Sequence, residues 1–199
     1  MRTQFTKVVV ATALAVASVA SLTACSGNDS LAQQYKSGTN KNYIAGDGTV
    51  SEYAKGSRQT AGAWTGKTES GATLSAEQLS GVVVVMNFWY AGCAPCRAEA
   101  KDLVALNDKF KGQQVQFIGV NVRDSAATAL AFDRTFKISW PSILDASSGS
   151  VMLAFTGVVS PQAVPTTIVI DKTGKVAGRI LGRLDKSTLW AIIQRVATE

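Results

Sequence analysis

"MNFWYAGCAPCRAEA", residues Met86 to Ala100, places two cysteines three apart where an apolar run gives way to helix-forming residues. The strand side begins upstream: "VVVVMNFW", Val82 to Trp89, is a continuous β-branched and aromatic run bounded by Gly81, the pattern of a strand buried on both faces. On the helix side, Pro95 occupies a first-turn position where its missing N–H costs nothing. Ala100, Leu103, Asn107 and Phe110 then recur at helical spacing with Leu106 beside them, so a helix to about Phe110 is expected. Gly112 ends it, and "VQFIGVNV", Val115 to Val122, supplies a second strand, giving a right-handed crossover and a parallel pair.

Further along, Asp124 is expected to cap a helix in which Ala129, Phe132 and Phe136 share a face. "WPSILD" and "SGSVMLAFTG" read as a short strand and a short helix, and "VPTTIVIDKTGKVAGRIL" as a hairpin turning at Lys172 to Gly174. Leu189, Ile192, Ile193 and Val196 mark a final amphipathic helix. The fold class these elements imply is α/β, a four-to-five-stranded mixed sheet with helices on both faces.

The chain of 199 residues is 46% hydrophobic, enough for one ordinary core. It contains no histidine, which excludes Cys-His and Ser-His-Asp mechanisms and every histidine-containing metal site. Its net charge is +6, of which Arg2 and Lys7 sit in a segment expected to be removed. With no block of lysine or arginine, nucleic acid is not an expected partner.

"MRTQFTKVVVATALAVASVASLTAC" reads as a basic n-region followed by an apolar segment, the form of an export signal. It ends in "LTAC", Leu22 to Cys25, which resembles a bacterial lipobox, so residues 1–24 are expected to be cleaved and Cys25 to carry the lipid. The alternatives are an ordinary cleaved signal or an uncleaved span. Acylation would fix the protein outside the cytoplasmic membrane, where disulfides persist. Residues 25–58, rich in Gly, Ser, Asn, Thr and Lys, are expected to tether a domain of residues 59–199, although Tyr35, Tyr43 and Ile44 leave docking open.

With Cys25 assigned to the anchor, Cys93 and Cys96 remain as a pair. One CxxC supplies two of the four ligands zinc requires, so no metal is expected. Covalent haem attachment needs histidine after the second cysteine, where Arg97 stands. A structural disulfide closing so small a loop constrains little of the unfolded chain. Redox chemistry has a positive mechanism: a cysteine just ahead of a helix meets unpaired N–H groups and the positive end of the dipole, which stabilise thiolate. Cys93 is therefore the expected nucleophile and Cys96, less exposed in the first turn, the resolving thiol.

"NFWYAGCAPCRAE" followed by "AVPTTIVIDKTGKV" resembles the thioredoxin-fold, membrane-attached thiol-disulfide oxidoreductases of the TlpA/ResA type, from about Gly62 to the C-terminus. "LSAEQLSG", Leu74 to Gly81, resembles that family's lead-in, and the segment from Asp124 to Gly157 its insertion into the thioredoxin core. The resemblance implies a cis peptide bond before Pro165, with Pro165 packed on the cysteine pair and the Val164 backbone pairing with an extended substrate. It implies that Glu99 accepts protons and tunes the thiols; the alternative is a solvated first-turn glutamate complementing the dipole. Asn87 stands where thioredoxins carry a buried aspartate, which makes a substitute acid useful. Trp89 matches the family's aromatic at the groove, though such a tryptophan can equally be packing.

Two positions depart from the family: Gly92 replaces the tryptophan usual before the first cysteine, and Tyr90 stands where a small residue is common. By resemblance the protein exchanges dithiol for disulfide with protein substrates and needs no bound cofactor. Its partners would be protein thiols and disulfides, apocytochromes c among them, and a membrane thiol reductase as electron donor. No oligomer signal is present, so a monomer is expected. The rivals are a disulfide oxidase or isomerase, a peroxidase of the related peroxiredoxin group, which usually has threonine where Tyr90 stands, and a non-catalytic binding lipoprotein.

Overall fold

β-Branched and aromatic residues dominate the sheet centre of the computed structural model, which describes residues 48–156 and 163–199. The expected signal, the expected lipidation site Cys25, Tyr35, Tyr43, Ile44 and most of the expected tether lie outside the described residues. The elements are β1 (Val50–Glu52), β2 (Thr65–Lys67), β3 (Thr73–Ser75), β4 (Val83–Trp89), α1 (Ala94–Phe110), β5 (Val115–Asn121), α2 (Ala126–Phe136), β6 (Ser142–Leu144), α3 (Ser150–Ala154), β7 (Thr166–Ile170), β8 (Val176–Leu181) and α4 (Lys186–Ala197).

Six strands form one mixed sheet in the order β1-β8-β7-β4-β5-β6. β4 runs parallel to β5 and antiparallel to β7, with Met86 opposite Ile118 on one side and Ile168 on the other. Every residue of β4 is buried, as its unbroken apolar run requires. Alternate residues feed two cores. Val83 and Val85 face Leu103, Leu106 and Phe110 of α1 and Leu189, Ile192 and Ile193 of α4. Val84, Met86 and Phe88 pack instead with Trp64, Leu79, Val151 and Phe155, beneath the short α3 and the β2–β3 hairpin.

The sheet exceeds the expected four to five strands because its edge strand comes from the expected tether. Val50–Glu52 pairs antiparallel with β8, and Gly48 N–H donates to Leu181 O at 2.8 Å. So short a segment carries no apolar period, so composition alone reads it as linker. Arg58, whose side chain is 5% exposed, fixes the next turn: Nη1 reaches Asp171 at 2.9 Å and Glu199 at 2.6 Å. The boundary expected at residues 58/59 therefore lies within the folded unit, not at its edge. Asp171 is doubly employed, since its Oδ1 also accepts from Thr173 N and Lys175 N and shapes the β7–β8 turn.

Asp124 does not cap α2, although its position suggests it. Ser125 caps α2, its side chain accepting from Thr128 N, while the Asp124 carboxylate points back toward the cysteine loop. Short polar side chains compete for such positions, and here the neighbour one residue later takes the cap. A chain beginning at Gln59 should melt at least about 5 °C below one beginning at Gly48, since each kcal/mol moves Tm by a few degrees in a domain of this size. Equal melting temperatures by calorimetry would return residues 48–58 to the tether.

Candidate active site

Cys93 ends the loop after β4 and is the N-cap of α1; its sulfur accepts from Cys96 N–H at 3.2 Å. Helical geometry thus aims a free first-turn donor at the nucleophile, and Pro95 in that turn removes a donor the helix could not use. Cys93 and Cys96 are joined by a disulfide, with Cα atoms 5.3 Å apart. Both are buried, Cys93 fully, in a cluster with Trp89, Tyr90, Ala100, Phe132 and Val164. The expected difference in exposure between the two sulfurs is absent from this oxidised state, because the aromatic side chains of the β4–α1 loop and α2 close over both.

The loop ahead of Cys93 is pinned by a polar network. Asp124 Oδ2 accepts from Ala91 N at 2.6 Å and from Asn121 Nδ2 at 2.8 Å, and Asn121 Oδ1 accepts from Asp124 N at 2.7 Å. Arg97 donates to Ala91 O at 3.3 Å and lies over the Phe136 ring, and Arg123 lies over the Tyr90 ring. Tyr90, at a position where a small residue is expected to be common, is therefore part of a packed aromatic and cationic rim.

Across from the cysteines, the Val164–Pro165 peptide bond is cis. Val164 O stands 3.9 Å from Cys93 Sγ. A disulfide sulfur has no proton, so this is a contact, not a hydrogen bond. Pro165 O is engaged by Gly182 N at 2.8 Å. The structure thus brings Cys93, Cys96 and Val164 together with Pro165 beside them. It does not leave Trp89 in an open groove: the indole is 5% exposed, stacks within 4.3 Å of Phe132, and donates to Ser142 Oγ at 3.3 Å. The indole packs under α2, whose Phe132 ring it meets.

Glu99 is fully buried on the inner face of α1, in line with Cys96, Leu103 and Phe110. This removes the solvated alternative. Its Oε1 accepts from Asn87 Nδ2 at 2.9 Å and its Oε2 from Leu184 N at 3.0 Å, tying α1 to β4 and to the β8–α4 loop. Burial pushes its carboxyl up from 4.5 to about 7, against the pull of those two donors and of Arg183. A buried acid that titrates near neutrality beneath a cysteine pair can hold or release a proton as the pair changes state. Asp133 is a second buried acid that the sequence reading missed; its one signal is a carboxylate inside the apolar face of α2, next to Phe132. Among the described residues no group of three or more His, Cys, Asp or Glu side chains could hold a metal ion.

Residues 58–179 match the AhpC/TSA family. The chain belongs to that family. It is 31% identical over 120 residues to the thiol-disulfide oxidoreductase ResA of Bacillus subtilis, covering 60% of this chain and 64% of that protein. With ResA of Bacillus cereus it shares 27% identity over 126 residues, 63% of this chain and 70% of the relative. Among solved structures, a secreted thiol-disulfide isomerase from Corynebacterium glutamicum superposes with a TM-score of 0.70 at 28% identity, over 77% of this chain and 95% of that one. A DsbF homologue from Corynebacterium diphtheriae gives 0.66 at 30% identity, over 75% and 94%. The fold is thioredoxin-like, and the protein is a thiol-disulfide oxidoreductase with its redox pair in a CxxC arrangement.

The raised pKa of Glu99 has a definite sign for stability. Between 4.5 and about 7 the folded state holds a proton that the unfolded state has released, so stability falls as pH rises through that window. The loss is on the order of 3 kcal/mol and is complete above the folded value. Glu99→Gln should flatten the part of the stability–pH slope between about pH 5 and 7 that Glu99 contributes. Denaturant titrations at intervals across that window check this, and identical slopes in both proteins would contradict it.

Proposed function

We propose that this protein is anchored outside the cytoplasmic membrane through a lipid on Cys25 and reduces disulfides in other exported proteins. The substrate class is the haem-attachment cysteines of apocytochromes c, and electrons arrive from a membrane thiol reductase. The signal, lipidation and tether readings rest on residues 1–58 of the sequence, the reductive direction rests on the resemblance to TlpA/ResA-type proteins, and the similarity to ResA thiol-disulfide oxidoreductases supports exchange with protein disulfides. No described helix is long and apolar enough to cross a membrane.

In this reading the Cys93 thiolate attacks the substrate disulfide and forms a mixed disulfide. Cys96 loses its proton toward Glu99 and attacks Cys93 Sγ, releasing the substrate thiol. Val164 and Pro165 shape the surface on which the extended substrate pairs. The observation that carries the direction is the modest support for thiolate. Cys93 accepts one backbone N–H, the intervening Ala94 and Pro95 are uncharged, Arg97 is engaged elsewhere, and the nearby acid is a buried carboxyl. Strong oxidants need a heavily stabilised reduced form, and this site does not build one.

A second reading, disulfide isomerase or oxidase, is favoured by the likeness to the secreted Corynebacterium glutamicum isomerase and the DsbF homologue. Expression of Cys96→Ser should trap mixed disulfides on Cys93, with apocytochromes c enriched and haem incorporation lowered in cells lacking the wild-type protein. Trapping confined to proteins with several structural disulfides, with cytochromes c intact, would favour the second reading. Mass spectrometry of the mature N-terminus should find a diacylglycerol on Cys25; an unmodified or uncleaved N-terminus would remove the anchor. Consumption of hydrogen peroxide at peroxidase rates would replace both readings.

A further inference from the structure

Below the cysteine pair lies a cavity of about 10 Å³, with Asn87, Trp89, Cys96, Phe132, Asp133 and Ser142 in its wall. That is the space of one water molecule. Asp133 is 9% exposed, and its Oδ1 has no hydrogen-bond partner among the described residues. A buried carboxylate oxygen with nothing donating to it is costly, and proteins retain such a group where water reaches it or where it works. Here the oxygen belongs to a residue lining the same small cavity as Cys96, one of the two reacting cysteines.

Two further polar side chains, Asn87 and Ser142, share an otherwise largely apolar wall and offer a water its remaining contacts. Ser142 Oγ is held by Trp89 Nε1, and Asn87 connects the cavity to Glu99 on its far side through Nδ2. Glu99 itself is not in the cavity wall, and both its oxygens already accept hydrogen bonds. Asp133 is thus the acid on the cavity that Cys96 lines.

We propose that Asp133 is a second proton acceptor for the Cys96 thiol, reached through one water in this cavity. The proposal rests on the thiol-disulfide exchange reading. With the mixed disulfide formed on Cys93, the Cys96 S–H proton passes through the water to Asp133 Oδ1. The Cys96 thiolate then attacks Cys93 Sγ: the Cys93–Cys96 bond forms, the Cys93–substrate bond breaks, and the substrate sulfur leaves with the electron pair and takes a proton from solvent. When the pair is next reduced, Cys96 recovers a proton from Asp133.

The charged groups bearing on Asp133 are Glu69 from the β2–β3 turn and Arg134 beside it on α2. Burial first, then the Glu69 charge, lifts the Asp133 carboxyl from 3.8 to about 7, against Arg134. Glu69 is fixed in place, its Oε2 accepting from Ser142 N at 2.7 Å. The carboxyl therefore exchanges its proton in the same range as Glu99.

The test is stopped-flow oxidation of the reduced protein by an aromatic disulfide whose released thiolate absorbs visibly. A first, concentration-dependent phase reports attack by Cys93, and a second, concentration-independent phase reports resolution by Cys96. In Asp133→Asn the first phase should be unchanged, while the second slows about tenfold near neutral pH and its rise moves to higher pH, a modest loss for a proton acceptor because Glu99 remains. Superimposable second-phase rates and pH profiles would overturn the proposal. Release of only one equivalent of aromatic thiolate per wild-type protein, with the Cys93–Cys96 bond never formed, would overturn thiol exchange as well. A readout on the unmutated protein guards against misfolding of the variant. The Asp133 carboxyl carbon should titrate at different pH in the oxidised and reduced forms by carbon-13 NMR, and one common midpoint would overturn the proposal.

Discussion

The buried Glu99 carboxyl is the constraint around which the site is built. It sits in an apolar interior and receives one N–H from a strand side chain and one from a loop amide. Those two donors come from elements far apart in the chain, so the acid is also the point where α1, β4 and the β8–α4 loop are held in register. Removing water raises the cost of its charge, and the donors lower it. The balance leaves a carboxyl whose ionisation falls in the range where thiols exchange, one helical turn from Cys96. Asn87 is part of this arrangement: an aspartate there would place a second charge against the first, whereas an amide donates.

The sulfurs are governed by the N-terminal end of the same helix. Cys93 caps α1 and takes a first-turn N–H, the one hydrogen bond its sulfur accepts among the described residues. The loop that presents it is clamped by Asp124 through Ala91 N, so the sulfur's position depends on a side chain from just beyond the end of β5. Rigid support of this kind limits the geometries in which an incoming disulfide can align with Cys93. The aromatic cover of Trp89, Tyr90 and Phe132 keeps water from the cysteine pair, which lowers the local dielectric around it.

Much of this architecture is legible in the sequence. β4, α1, β5, the β7–β8 hairpin and α4 each carry strong apolar patterns; β4, β5 and the end of α1 fall within a residue or two of the expected bounds, and the expected apolar face of α4 is its buried face. The CxxC pair and the Val-Pro entry to β7 identify the two sides of the site. What escapes has a common physical cause. β1 is a three-residue segment whose strand state comes from pairing with β8 rather than from any pattern of its own. The cap of α2 passes to Ser125 because the Asp124 carboxylate finds amide donors across the loop. Trp89 reads as a groove residue, and Asp133 as unremarked surface, because burial by and within α2 is a tertiary fact that periodicity does not report. Glu99 is assigned by position, but only its packing distinguishes a buried acid from an exposed one.

The central claim, that this site favours disulfide reduction, is tested most directly by the reduction potential of the Cys93–Cys96 pair, obtained by equilibrating the protein against thiol buffers of defined composition. The account predicts a value near that of thioredoxin, about −270 mV. A value near about −120 mV, that of a strong disulfide donor, would contradict it.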